Sequence, residues 1–192
     1  MNRNDIISKA QLRKTILSYR KLLDEKEFQE RNLKITKLLV DFFEENRPKS
    51  IHLFLPIEKN NEPNLFQVIQ FLHQKEIKTV ISKTDFENRS MEHYIMEEDT
   101  EIKKNRLGIP EPINAVKFDK EKIDAVLVPL TLADRKGNRI GYGGGFYDQF
   151  LKETDARKIG VSLGPVGDKI IQADDWDIKL DIVITPFGII RI

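Results

Sequence analysis

Ala125-Val126-Leu127-Val128 is a continuous apolar run. A strand with one wet face alternates apolar and polar residues, so an unbroken run marks a strand buried on both faces. Residues 158–161 and 182–184 have the same texture. Strands of this kind need layers on both sides, and the segments between them supply helical patterns. Ser8-Lys9-Ala10-Gln11 is a capping box, in which Ser8 accepts from an orphan amide while Gln11 reaches back. Leu12, Ile16, Tyr19 and Leu23 follow as an apolar stripe. Asp24 and Glu27 repeat the start signal, and Phe28, Ile35, Leu38, Leu39 and Phe42 continue at helical spacing until Pro48 stops them. Residues 51–55, closed by Pro56, and 79–81 read as strands, with a helix over 65–74 between them. The polar stretch 83–122 contains a further strand candidate at 91–95 and a turn-rich segment, Gly108-Ile109-Pro110-Glu111-Pro112. The expectation is an α/β fold, a mostly parallel sheet flanked by helices on both sides, in a single domain over 1–192.

The length of 192 residues lets such a fold bury roughly 70% of its unfolded surface without a covalent staple. None is available, since the chain has no cysteine. Disulfides, iron–sulfur clusters, zinc ribbons and thiol nucleophiles are thereby excluded, and an intracellular, cytoplasmic setting is expected. His52, His73 and His93 lie about twenty residues apart without ligand spacing, so each reads as structural or superficial rather than zinc-binding. A net charge of +1 gives no global pull toward nucleic acid or an anionic membrane, and neither is expected as a partner. The start, Met1-Asn2-Arg3-Asn4-Asp5, opens no apolar signal core, and no window nears the roughly 18 apolar residues of a membrane span. The chain therefore reads as soluble, unexported and monomeric. Any anion it binds must be held by local geometry.

That geometry is signalled by Gly137-Asn138-Arg139-Ile140-Gly141-Tyr142-Gly143-Gly144-Gly145-Phe146-Tyr147-Asp148, which follows a buried strand and precedes a helical stretch over 147–153. Four glycines in five positions serve close approach to backbone amides rather than packing, and a helix N-terminus adds unsatisfied N–H groups. The pattern lacks the Lys-Ser/Thr of a Walker loop and has Phe146 where a Rossmann loop needs a small residue. A plain surface turn is the competing reading, and Arg139, Tyr147 and Asp148 around the glycines weigh against it. Lys9 and Arg13 are four apart and share a face of the first helix, which is a solvated basic face or a phosphate-holding one. Asp148, in the first turn of its helix, either complements the dipole or binds a hard cation.

Val128-Pro129, Asp134, Gly137 and the run from Arg139 to Asp148 closely resemble the signature of the 5-formyltetrahydrofolate cyclo-ligases, also called methenyltetrahydrofolate synthetases. Lys9 and Arg13 near the start, an acidic residue after the first strand and Asp177 before the last strand fall in the family's order. The resemblance implies a fold akin to the sugar-isomerase and CoA-transferase superfamily (NagB/RpiA/CoA transferase-like). It implies ATP and Mg²⁺ as cofactors and 5-formyltetrahydrofolate as substrate. ATP would be held by Lys9, Ala10, Gln11, Leu12 and Arg13, and by Arg139, Ile140, Gly141, Tyr142, Gly143, Gly144, Gly145, Phe146 and Tyr147. Tyr142, Gly143, Gly144, Gly145 and Phe146 would also border the folate, and Arg139 and Tyr147 would be catalytic. Asp148 and Asp177 would be the metal ligands, rather than Asp174, Asp175 or Asp181. Glu62 would accept the pterin N–H donors, with Glu58 as the alternative because Leu65 stands where the family has threonine. Arg20 lies on the Lys9/Arg13 face but has no counterpart in the family pattern. Ala133, Phe146 and Gln149 depart from the usual residues at their positions.

The implied chemistry is attack of the formyl oxygen on the γ-phosphorus of ATP, closure of the ring by the neighbouring folate nitrogen, and loss of phosphate. Such a reaction asks for positioning and charge neutralisation, which suits Lys, Arg, glycine amides and a hard cation better than a nucleophile triad. Two other readings are a phosphosugar isomerase of similar fold, which would need no nucleotide, and a non-catalytic nucleotide-binding module.

Overall fold

A computed structural model describes residues 8–192; the Met1-Asn2-Arg3-Asn4-Asp5 start lies outside the described residues. The chain opens with two helices, Lys9–Lys21 (α1) and Glu25–Asn46 (α2). The Ser8/Gln11 capping box starts α1, and the Asp24 side chain accepts from the Glu27 amide to start α2. Ser50–His52 (β1), Phe66–Gln74 (α3), Lys78–Asp85 (β2) and Ser90–Ile95 (β3) follow. Two short ribbons come next, one from Ile102–Lys104 (β4) with Pro110–Pro112 (β5), and another from Leu132–Ala133 (β7) with Arg139–Ile140 (β8). Between the ribbons runs Ala125–Pro129 (β6). Phe146–Lys152 (α4), Arg157–Val161 (β9), Ile182–Thr185 (β10) and Gly188–Arg191 (β11) complete the order.

Seven strands form the main sheet among the described residues, in the order β11-β10-β9-β6-β1-β2-β3. The five central strands are parallel, and β3 and β11 close the edges as antiparallel hairpin partners of β2 and β10. Side chains alternate between two cores. Ile51, Leu127, Ile159, Ile182 and Ile184 meet Ile35, Leu39, Phe42 and Phe43 of α2 and Leu65, Val68, Ile69 and Leu72 in and beside α3. Val80, Val126, Val128 and Val183 face the other way, toward Phe150 and Leu151 of α4. Helices thus cover both faces, as the continuous apolar runs require. At the centre Val128 is paired with Gly160, where an added Cβ would come within 2.5 Å of the Leu130 and Leu180 side chains.

Three expectations change on inspection. Tyr19 does not belong to the buried stripe of α1. It is 67% exposed, and Arg20 is the residue turned inward, because the inner face of α1 meets a polar cavity rather than the core. The run 51–55 pairs as a strand only over Ser50–His52, with the Leu53 amide making one last bond to the Val80 carbonyl at 2.8 Å; residues 53–55 continue buried and extended into a cavity wall. The segment 108–112 is more than a turn, since Pro110–Pro112 pairs with β4.

Leu127 is fully buried on the central strand β6. Its replacement by alanine is expected to cost about 2–5 kcal/mol in urea unfolding with an unchanged m-value. A loss below about 1 kcal/mol would contradict the packing described.

Candidate active site

Strand order reverses between β1 and β6, since β2 lies on one side of β1 and β9 on the far side of β6. Open parallel sheets bind ligands at the carboxyl ends of the strands beside such a switch point. The residues after β1 and the glycine-rich segment after β6 and its ribbon meet there. They line a cavity of about 490 Å³, within the range of small-molecule sites.

One end of the cavity is lined by charged side chains. Lys9 and Arg13 face it from α1. Lys9 bonds both Asp174, at 2.7 Å, and Asp177. Burial works against the Lys9 charge, yet the two carboxylates raise its pKa above the ordinary value. Arg13 Nε donates to the Gly141 carbonyl at 2.6 Å, and its guanidinium lies against Gly143, where a Cβ would sit 3.2 Å from Cζ. Gly143 has φ +93°, a conformation that side chains disfavour, so glycine here allows both the turn and the approach of the arginine. Ala10, Gln11 and Leu12, expected in the same nucleotide segment, do not line the cavity. Within this first turn and a half, helical spacing puts positions 9 and 13 on the inner face, and Gln11 is occupied in the capping box.

Arg139 is 7% exposed, and its fork is held by the Ile178 carbonyl and by Asp148, at 2.6 Å. Asp148 also accepts from the Ile178 amide at 3.2 Å, which brings it beside the segment carrying Asp177. Asp177 accepts from the Asp174 amide at 2.8 Å. Asp148, Asp174 and Asp177 therefore present oxygen donors to one cavity, and each carboxylate of the expected metal pair is also engaged by a cationic side chain. No group of three or more metal-ligating side chains is gathered among the described residues. Two carboxylates beside phosphate oxygens suit a hard, partly hydrated cation such as Mg²⁺, which needs no all-protein cage. Ile140, Gly141, Tyr142, Gly143, Gly144, Gly145, Phe146 and Tyr147 all line the cavity, and the Tyr147 hydroxyl has no protein partner among the described residues.

The other end is apolar, with Leu53, Phe54, Leu55, Ile57, Leu107 and Ile109 in its wall, and Glu62 is buried within it. Glu62 accepts from the Ile57 amide at 2.6 Å. Desolvation raises its pKa, opposed by hydrogen bonding from Tyr142, by the Ile57 amide and by the Arg20 charge. Glu58 points away from the cavity into an exposed pair with Lys104 at 2.7 Å. Asp134 of the family pattern does not line the cavity; it organises the turn before the loop. It accepts from the amides of Lys136, Asn138 and Ile171 and from the Asn138 side chain.

Sequence reasoning missed four residues. Arg20 is buried against Tyr142, and its place seven residues after Arg13 on one helical face was the available signal. His52 and Ser82 form part of the floor, with His52 Nε2 2.7 Å from Ser82 Oγ and that hydroxyl 2.9 Å from His93 Nδ1. This contact joins β1, β2 and β3 across the sheet, which no local pattern announces. Trp176, 71% exposed, stands at the cavity rim.

Fold and cavity define an α/β protein with a glycine-rich loop lining a cavity at the switch point of its sheet. The chain belongs to the 5-formyltetrahydrofolate cyclo-ligase family, whose profile matches residues 5–186. The 5-formyltetrahydrofolate cyclo-ligase of Mycoplasma pneumoniae is 32% identical over 183 residues, covering 93% of this chain and 98% of that protein. Among solved structures, a 5,10-methenyltetrahydrofolate synthetase from Mycoplasma pneumoniae superposes with a TM-score of 0.75 at 27% identity, covering 94% of this chain and 99% of the other. That of Aquifex aeolicus gives 0.80 at 27% identity, covering 96% and 93%.

The buried histidines make the floor acid-sensitive. Desolvation lowers the His52 pKa well below its usual value, with His93 adding to it. Desolvation first and Lys120 second bring His93 to about 4. An unfolded histidine takes up a proton near pH 6.5 while these stay neutral, so stability falls as pH drops from about 6.5 toward 4. His93 alone is expected to remove roughly 3 kcal/mol over that window. His93→Asn, which keeps a hydrogen-bonding atom near Nδ1, should flatten part of the acid limb in a melting-temperature profile; an unchanged slope would contradict this account.

Proposed function

We propose that this protein cyclises 5-formyltetrahydrofolate to 5,10-methenyltetrahydrofolate, converting ATP to ADP and phosphate. The observation that carries the reading is one cavity with a charged glycine-loop end, where Lys9, Arg13 and Arg139 gather, and an apolar end that buries Glu62. The first end suits a polyphosphate and the second suits a flat heterocycle with N–H donors.

Lys9, Arg13 and the amides of the glycine loop hold the polyphosphate, and Arg13 is the cation best placed to follow charge as it shifts during transfer. Arg139 acts by aligning Asp148 and the 178 carbonyl as well as by its charge. Asp148 and Asp177 would hold Mg²⁺, which supplies charge neutralisation on the phosphates. The Tyr147 hydroxyl, without a protein partner among the described residues, is available to the formyl oxygen. Glu62 orients the pterin so that the formyl group meets the phosphate end. The folate itself carries both reacting groups, so the residues need only align them and exclude water.

The same reading places the fold in the sugar-isomerase and CoA-transferase superfamily, as one domain over 1–192 acting as a cytoplasmic monomer. A phosphosugar isomerase would not need Glu62 in an apolar wall, and a nucleotide sensor would not need the apolar end at all.

Mixing the protein with 5-formyltetrahydrofolate, ATP and Mg²⁺ should raise the near-ultraviolet absorbance of the methenyl product, and omitting ATP should abolish the rise. Folded protein that binds ATP without any rise would overturn the assignment. Glu62→Gln is expected to raise the folate KM roughly 10–100-fold, the worth of a charged hydrogen bond, and to leave the ATP KM within about 2-fold. Arg13→Ala should do the reverse, and near-wild-type kinetics would remove either residue from the site.

A further inference from the structure

Arg20 is the buried residue of α1, only 6% exposed. Its Nε donates to the Asn60 carbonyl at 2.7 Å, one terminal nitrogen to the Leu130 carbonyl at 3.4 Å, and the other to the Tyr142 hydroxyl. The guanidinium carbon lies 5.7 Å from the centre of the Tyr142 ring. In return, the Asn61 amide group donates to the Arg20 carbonyl at 3.1 Å. One cation therefore joins α1, the turn that leads into Glu62, the end of β6 and the glycine loop.

Burying a guanidinium is costly, and Arg20 has no direct salt bridge among the described residues. Carbonyls satisfy its hydrogens but do not neutralise its charge. The carboxylate that feels its charge is Glu62, on the turn that Arg20 holds. Arg20 fixes the residues just before Glu62 through Asn60 and Asn61, and it fixes the glycine loop through the Tyr142 hydroxyl. The groups facing Glu62 are Arg20 from α1, Tyr142 from the glycine loop, Tyr147 from α4 and the Ile57 amide on its own loop. Arg20 is the cation among them whose charge opposes the effect of burial. A protonated Glu62 would carry a donor where the pterin edge needs acceptors.

We propose that Arg20 is a positioning residue for the folate, fixing the Asn60-Asn61 turn that carries Glu62 and tying that recognition group to Tyr142 of the glycine-rich loop. The inference rests on the folate reading of the cavity. It also gives the loop a way to respond to the substrate, because Arg20 holds Tyr142 of the glycine-rich segment and the turn of Glu62 at once.

The test is folate affinity and steady-state kinetics, measured across pH for wild type, Arg20→Met, Arg20→Lys and Tyr142→Phe. Arg20→Met is expected to weaken 5-formyltetrahydrofolate binding about 10–100-fold near neutral pH, with the ATP KM within about 3-fold. Without the cation Glu62 protonates more readily, so the acid loss of folate binding should move to higher pH. Arg20→Lys should restore part of the affinity by keeping the charge. Tyr142→Phe, which leaves the Arg20 bonds to Asn60 and Asn61 in place, should lose less folate affinity than Arg20→Met. Unchanged folate binding and an unshifted pH profile in Arg20→Met would overturn the role of Arg20. So would an equal loss for folate and ATP in Arg20→Lys, which indicates a merely structural residue. Failure of the wild-type protein itself to bind 5-formyltetrahydrofolate would instead overturn the reading on which the inference rests.

Discussion

Five parallel strands with apolar side chains on both faces leave this chain little choice. Parallel neighbours need crossover connections, the crossovers must cover both faces, and the sheet must somewhere reverse its winding direction. Here the reversal falls between β1 and β6. The loops leaving those two strands cannot pack on each other, so a cavity opens there, and the residues that line it come from segments that diverge from the same edge. The location of the site follows from burial of Ile51, Val126, Leu127 and Val128 before any functional residue is considered.

What the sheet leaves open, α1 closes. It contributes little to the apolar core, and three cations on its inner face make its main contacts. Lys9 meets Asp174 and Asp177, Arg13 meets the Gly141 carbonyl, and Arg20 meets Tyr142. These contacts span more than a hundred residues of sequence and connect the first helix to the glycine loop and the segment before β10. Of the three cations, Arg13 lines the cavity without a carboxylate partner among the described residues, which leaves its charge for a polyanionic ligand. The fit also explains why a protein of net charge +1 can hold a polyphosphate without a basic surface.

Much of this was legible in the sequence, and the limits have physical causes. Residues 125–128, 158–161 and 182–184 announced themselves because two-sided burial leaves no polar position. The capping box at Ser8 and Gln11 was local enough to read directly. The ribbon of β7 and β8 was hidden because two-residue strands carry no periodicity. Glu62 and Glu58 looked alike in sequence, and only the turn between them buries one in the cavity and exposes the other. Arg20 was passed over because it has no counterpart in the family pattern, and its partners lie 40, 110 and 122 residues away. Asp148 and Asp177 come to neighbouring positions through the Ile178 amide, a contact that depends on where the tail of the chain crosses the glycine loop.

The central claim is that the formyl oxygen is converted into a leaving group by phosphoryl transfer. It is tested most directly by labelling that oxygen with a heavy isotope and following it through a single turnover with ATP. The account predicts that the label appears in the inorganic phosphate, because the oxygen that attacks phosphorus departs with it when the ring closes. Label recovered in water, with unlabelled phosphate, would contradict it.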